Sequence, residues 1–460
     1  MNHFSHSFSF SSLRLTALVL IIFILSSCSN QRPFIEKSSY KGWPSTCLGN
    51  ELVRLQIVPE IGGRVMQYSF DGKDFMFVNP LLAGKYPPAG GIGPGNSWLN
   101  YGADKLWLAP QGSKNDEQWA GPPDGILDGG PYKMETLSTG NKEAAIRLTS
   151  SEDTIHGVTL SRIITLYKGT THVSFQATMK NTDKKPRRWG IWSHTQLDGG
   201  RTDGKGYNTD MYAWCPVNRL SHFPKGYNVM FGDKNNPTFR PDTTCGLMSV
   251  QYLYKVGKIG MDSPDGWIAT VDGTNGKVFV QLFTFEQGKE YPDGASVEFW
   301  MNGVGKYYAL NQEKVMPDDP VNNPYVFESE MVSPFATLLP GESYTWGYEW
   351  YASNIGGNYK ITNCTPVGIT ADSVKAKADG DNLKITGRFG VFAPGTLILR
   401  FHDPAGNILK EEKVSGKVSP LKPVIMEMTM KLPAAASSVT LSFSDAGGNE
   451  IGILANAIII

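Results

Sequence analysis

Apolar and polar positions alternate with period two along most of the chain, in short runs that end at Gly, Asp or Asn. From Glu51 the pattern predicts a hairpin: LVRLQIV, a turn at Pro59–Gly63, RVMQYSF, a DGKD turn and FMFV. Strict alternation would place Arg64, Met66, Tyr68 and Phe70 on one face. Between Pro80 and Tyr132 the pattern dissolves into Gly, Pro and Trp. Trp98, Trp107, Trp119 and Tyr132 there argue for a packed rim over a sheet and against disorder. AAIRLTS, GVTLSRIITLYKG and THVSFQATMKN form a meander leading to His194. After a loop-rich stretch from Asp198 to Lys255, the strands WIATVDG, KVFVQLFTF and ASVEFWMNG lead to the segment around Glu328.

A boundary is expected after Tyr351, where ASNIGGNYKITN reads as a linker. Beyond it LKITGRF, GTLILRF, VIMEMTMKLP and SVTLSFS alternate cleanly, and RFHDPAGNILK echoes SFSDAGGNEIG, each with Asp before a Gly-Asn turn. That predicts a small immunoglobulin-like β-sandwich over residues 360–460, with the main domain over 41–354.

Composition agrees with an all-β chain: Gly 50, Pro 29 and 11% aromatic residues leave few windows with a helical period. At 460 residues there is room for two or three domains. Lys+Arg and Asp+Glu are both 43, a balance that excludes the basic surplus of a nucleic-acid binder. The cluster Lys184, Lys185, Arg187 and Arg188 reads as a solvated turn.

The N-terminus is a targeting segment. Arg14 precedes an apolar run from Leu15 to Leu25 that is too short to span a bilayer, followed by Ser26, Ser27 and Cys28. It resembles a bacterial lipoprotein signal, which implies cleavage after residue 27, acylation of Cys28 and a tether over 28–40. An export route to the outer membrane is expected. The SNQRPF stretch after Cys28 carries no acidic cluster, so the anchored domain is expected to face the periplasm, with the cell surface as the other option.

Four further cysteines, Cys47, Cys215, Cys245 and Cys364, allow three pairings. Cys215–Cys245 would staple one insertion and Cys47–Cys364 the ends of the main domain, while free buried thiols are the other option. No Cys or His spacing suggests zinc, and Asp198, Asp203 and Asp210 fit turn chemistry better than a calcium loop, so neither metal nor cofactor is expected.

The most telling stretch is Asn181–Leu197. With period two, Arg188, Gly190, Trp192, His194 and Gln196 share a face. A cation, an indole, an imidazole and an amide make a poor core and a good sugar cleft: rings pack on the C–H patches of a pyranose while polar groups bond its hydroxyls. Trp98, Trp107 and Trp192 are candidate stacking platforms, and Arg64 and Lys105 candidate anchors for sugar hydroxyls or a uronate carboxylate.

This stretch resembles the aldose 1-epimerase (galactose mutarotase) superfamily in Asn181, Thr182, Pro186, His194, Thr195 and Leu197. It departs from it at Ser193, where the family has asparagine, and at Gln196, which replaces a Tyr-Phe-Asn portion; a Gly-Arg-x-x-Asn-Arg stretch has no counterpart. A second match runs through YVFESEMVSPFATLLPGESYTWGYEWY, where Pro340, Gly341, Glu342, Tyr344 and Trp350 fit the family's closing turn and strand. The Gly-Gly-Arg hairpin at Arg64 and the Gly-x-Asp-Lys-Leu-Trp run ending at Trp107 resemble an uncharacterised mutarotase-like family.

The resemblance implies a mutarotase-like β-supersandwich ahead of the smaller sandwich. It implies acid–base chemistry on a carbohydrate, with His194 as acid and Glu328 as base, and Glu330 on the same face as the rival base. Ring-opening at an anomeric carbon needs two such proton carriers. Epimerisation and glycan cleavage are both open, and the contrasting expectation is a non-catalytic glycan-binding lipoprotein.

Overall fold

A computed structural model describes residues 32–309, 312–414 and 416–460; the expected signal segment 1–27 and Cys28 lie outside the described residues. The described chain is strands and turns, with short 3-10 turns at Pro94–Asn96 and Pro292–Gly294. Two large antiparallel sheets, of twelve and ten strands, pack face to face, and two four-stranded sheets follow from Ile361 onward.

The twelve-stranded sheet holds the residues of interest. Its central order is Arg64–Phe70, Asp104–Ala109, Arg187–Asp198, Val326–Val332, Val297–Met301 and Gly257–Met261. Alternation explains the packing. Leu106, Phe327, Met331 and Phe299 point inward against Ile164, Phe175, Phe279 and Trp350 of the ten-stranded sheet. Within this apolar layer Arg162 bonds the Asp104 carboxylate and the Gly63 carbonyl (2.7 Å), and Ser329 donates to Gln281 (2.6 Å).

Two expectations need correction. Phe34–Tyr40, expected as tether, is an edge strand paired with Trp43–Gly49 from Phe34↔Gly49 to Tyr40↔Trp43. Its alternation is masked by the polar run Glu36–Ser39. Asp104–Ala109, expected as loop, is an interior strand buried at all six positions. A strand covered on both faces shows no polar–apolar alternation to read.

A β-bulge splits the expected face of Arg64–Phe70. The register runs Gln56↔Gln67 and then Ile57↔Val65, which leaves Met66 unpaired. Met66 joins Trp43, Val58 and Tyr101 on the outer side, whereas Tyr68 and Phe70 enter the intersheet core. Arg64 is thereby turned outward, as bulges commonly re-aim a side chain.

The smaller sandwich has its own core of Leu383, Ile385, Phe389, Leu399, Phe401 and Phe443. The two echoing hairpins share one device: Asp403 Oδ1 accepts from the backbone of Ala405 and Asn407, and Asp445 Oδ1 from Gly447 and Asn449. Asp198 and Asp203 also cap turns, accepting from Gly200 and Lys205. Cys47, Cys215, Cys245 and Cys364 are free thiols, and burial pushes the first two and Cys364 upward in pKa.

The Gly-Gly turn before Arg64 is sterically obligatory. Gly62 has φ 61°, and a Cβ there would lie 2.1 Å from the Asp128 carbonyl oxygen. Gly62→Ala is expected to cost about 1–3 kcal/mol in urea unfolding, from left-handed strain plus displacement of Asp128. An unchanged midpoint would refute that close approach.

Candidate functional site

The cross-strand register of the twelve-stranded sheet lines up the chemistry. Lys105 pairs with His194, His194 with Glu330, and Glu330 with Glu298, in one row across four strands. On the same face Trp107 sits opposite Trp192, Gln196 opposite Glu328, and Glu328 opposite Trp300. Neighbouring positions Asp104, Thr195, Ser329 and Phe299 point the other way, into the intersheet layer.

Contacts within this face are dense. His194 Nε2 lies 3.2 Å from Glu328 Oε2 and 3.5 Å from Glu330 Oε1. Gln196 Nε2 donates to Glu328 Oε1 (2.6 Å), and Trp192 Nε1 to Glu330 Oε2 (3.1 Å). Lys258 Nζ bridges Glu298 (2.6 Å) and Glu330 (3.0 Å). The Trp107 and His194 rings are 4.0 Å apart between centroids, with Trp192 5.4 Å from Trp107.

The segment Pro80–Tyr132 covers one end. Its Asp128 accepts from Arg64 Nη2 (2.7 Å), Trp98 Nε1 (2.8 Å) and Trp107 Nε1 (3.1 Å). Trp98 is half-buried at the rim, and among the acid–base groups Glu328 is the most open, its side chain 9% exposed. Open cavities of about 620 and 880 Å³ lie elsewhere: Lys360, Arg388 and Glu427 line the first, Tyr207, Tyr254 and Tyr325 the second.

Burial, set against the neighbouring charges, controls the protonation states. Burial, then the nearby Arg64 guanidinium, pushes Lys105 down to about 7. Burial, then Lys105, holds His194 well below its ordinary value, so the imidazole is neutral at pH 7. Lys258 behaves oppositely: burial works against its charge, but Glu298 and Glu330 outweigh it and raise it. Burial, assisted by Glu330 against the pull of Lys258, lifts Glu298 to about 7.

The structure thus brings together His194, Glu328, Glu330, Lys105, Trp107, Trp192, Arg64 and Trp98, drawn from four segments of the chain. It does not set imidazole and carboxylate on opposite sides of a ring-sized space; they touch. A neutral imidazole is also poorly suited to hold a proton ready for donation. His194, Glu328 and Glu330 place one nitrogen and two oxygens within 4.8 Å of one another, a donor set that could hold a divalent cation. The Lys258 ammonium already neutralises one side of it.

Sequence reasoning missed Asp128, Tyr101, Lys258 and Glu298. Lys258 and Glu298 carried a signal, being charged residues inside the apolar runs KIGM and VEFWM. Asp128 sits in a glycine-rich loop and carried none.

A family model described as a domain of unknown function, DUF4380, matches residues 45–203. No curated protein matches the sequence. Among solved structures the chain is similar to a TPR-domain containing protein from Parabacteroides distasonis, at 13% identity and TM-score 0.44, over 67% of this chain and 47% of that one. It therefore spans about half the length of that protein. It is also similar to a galactose mutarotase-like protein from Lactobacillus casei, at 12% identity and TM-score 0.41, over 67% of this chain and 99% of that one. The galactose mutarotase related enzyme from Lactobacillus acidophilus gives 12% identity and TM-score 0.42, over 69% and 99%. The likeness is one of fold and carries nothing about activity, which rests on the side chains above.

The lysine generates a pH prediction. The folded pKa of Lys105 is about 7 against an ordinary lysine value of 10.5, so between these the unfolded chain binds more protons and stability rises with pH. Below about 7 the full penalty is present; above about 10.5 it is gone. Lys105→Met is expected to stabilise the protein at pH 7 by roughly 2–5 kcal/mol, the gain fading toward pH 10.5. Urea unfolding at several pH values measures it, and a pH-independent difference would contradict the buried, unpaired ammonium.

Proposed function

We propose that this protein is a carbohydrate-active enzyme, exported and lipid-anchored through Cys28 to the outer membrane on its periplasmic side. Its catalytic base is the His194–Glu328 pair. The observation that supports this reading most is the convergence, on one covered sheet face, of a carboxylate-held imidazole, three indoles and several hydrogen-bonding atoms without partners. His194 Nδ1, Gln196 Oε1, Lys105 Nζ and two Arg64 nitrogens are buried and unbonded. Buried polar atoms are rarely left so. Sugar hydroxyls, which both donate and accept, would satisfy them, and the indoles would face the ring.

The Glu328 carboxylate, 3.2 Å from Nε2, orients the imidazole with its Nε2–H toward the carboxylate, leaving the Nδ1 lone pair free. Nδ1 then takes a proton from the bound sugar, and Glu328 stabilises the imidazolium that forms, as carboxylate–imidazole pairs do elsewhere. The imidazolium returns that proton to the ring oxygen as the C1–O5 bond opens, and the reverse transfer closes the other anomer; in a cleavage by elimination it returns the proton to the glycosidic oxygen as that bond breaks. Glu330, which accepts from Trp192 and Lys258, sets the field around the ring.

One observation favours a binding role without chemistry: His194 and Glu328 are in contact and largely covered. The distinguishing experiment is a product and binding screen of neutral and acidic sugars and glycans with wild type, His194→Gln and Glu328→Gln. Catalysis predicts a rate loss of about 100-fold or more in each variant with binding retained. Wild-type binding with no product from any glycan would replace the enzyme reading with the binding one. For the anchor, Cys28→Ala is expected to move the protein from the membrane to the soluble fraction, and an unchanged distribution would refute lipidation.

A further inference from the structure

Arg64, Lys105 and Tyr101 are buried donors that the chain leaves short of acceptors. Arg64 uses Nη2 on Asp128, but its Nε and Nη1 have no partner, nor do Lys105 Nζ and the Tyr101 hydroxyl. None of the three residues is more than 1% exposed. Lys105 forms no ion pair among the described residues; its ammonium lies 4.8 Å from the centroid of the Trp107 ring. The acidic groups around it are already engaged: Asp128 by Arg64 and two indoles, Glu328 by Gln196 and His194, Glu330 and Glu298 by Lys258.

A buried ammonium without a partner, beside a guanidinium with spare N–H groups, destabilises the folded protein. Hydroxyls would satisfy the hydrogen bonds but leave the Lys105 charge unanswered, since Asp128 already pairs with Arg64. A carboxylate answers that charge and the spare donors together, because it has a full negative charge and acceptor sites for several N–H and O–H groups. A metal cation fits this end badly, since the groups here are cations and donors. The opposite end of the face, with Gln196 Oε1 and His194 Nδ1, offers the acceptors that hydroxyls require.

We propose that the sugar taken by this site is a uronic acid, its carboxylate held by Arg64, Lys105 and Tyr101 beside the Trp107 ring and its hydroxyls toward Gln196 and His194. This rests on the carbohydrate reading above and names its substrate class. It also gives the unpaired lysine a reason: the empty protein is less stable, and the acidic ligand removes the mismatch.

The test is calorimetric titration of the full chain with galacturonate and glucuronate oligosaccharides, the neutral galactose and glucose counterparts, and acetate alone. Acidic sugars are expected to bind at least about 10-fold more tightly than neutral ones, the worth of one charge-assisted bond. Lys105→Met, a variant expected to fold more stably than wild type, abolishes that preference, and Tyr101→Phe reduces it. Equal affinity for neutral sugars, or a preference that survives Lys105→Met, overturns the inference and leaves the carbohydrate reading standing. Acetate bound as tightly as the uronates overturns it too, since the site would then be a simple anion site. If no sugar of either kind is bound or converted, the carbohydrate reading itself fails.

Discussion

The structure depends on one lateral constraint: Lys105, His194, Glu330 and Glu298 stand side by side because four strands pair in a single register. Side chains directly across a strand pair are close enough to interact strongly. Buried together, ionisable groups at that spacing must answer one another. Lys258 answers Glu330 and Glu298, Asp128 answers Arg64, and the imidazole with Gln196 answers Glu328. A slip of one residue on any of these strands would send its polar set into the intersheet layer. The apolar residues Leu106, Met331 and Phe299 on the other side therefore hold the charged row in place as much as they build the core.

The support beneath the row is itself partly polar. Asp104 and Lys105 are adjacent but face opposite ways, so the backbone at this point carries a buried anion inward and a buried cation outward. The inward anion is matched by Arg162, which also grips the carbonyl of Gly63 just before Arg64. One guanidinium thus ties the strand of Lys105 to the turn that presents Arg64. Buried pairs of this kind contribute little net stability but are costly to break singly, which suits a part of the fold whose geometry matters more than its free energy.

What was legible in the sequence follows from which forces act locally. The His194 strand declared itself because an indole, an imidazole and an amide recur at every second position, a pattern that packing alone does not produce. The Glu328 and Glu330 strand did so for the same reason, two carboxylates on one face of an aromatic run. Asp104–Ala109 hid because both of its faces are covered, and Phe34–Tyr40 because an edge strand tolerates polar residues. Asp128 was invisible for a different reason: its role is set by where a glycine-rich loop lands, a long-range outcome with no local period.

The unpaired Met66 has an effect reaching beyond the aim of one arginine. By inserting a single residue, the strand Arg64–Phe70 turns Arg64 and Met66 to the outer layer and keeps Tyr68 and Phe70 in the interior. The two pairs answer to separate demands within seven residues of chain. Changes at Tyr68 and Phe70 bear on the intersheet core, changes at Arg64 on the Asp128 end of the charged face, and the extra residue keeps those two effects apart. In a strand of unbroken pleat, the arginine and the two rings would share one side, and neither could vary without disturbing the other.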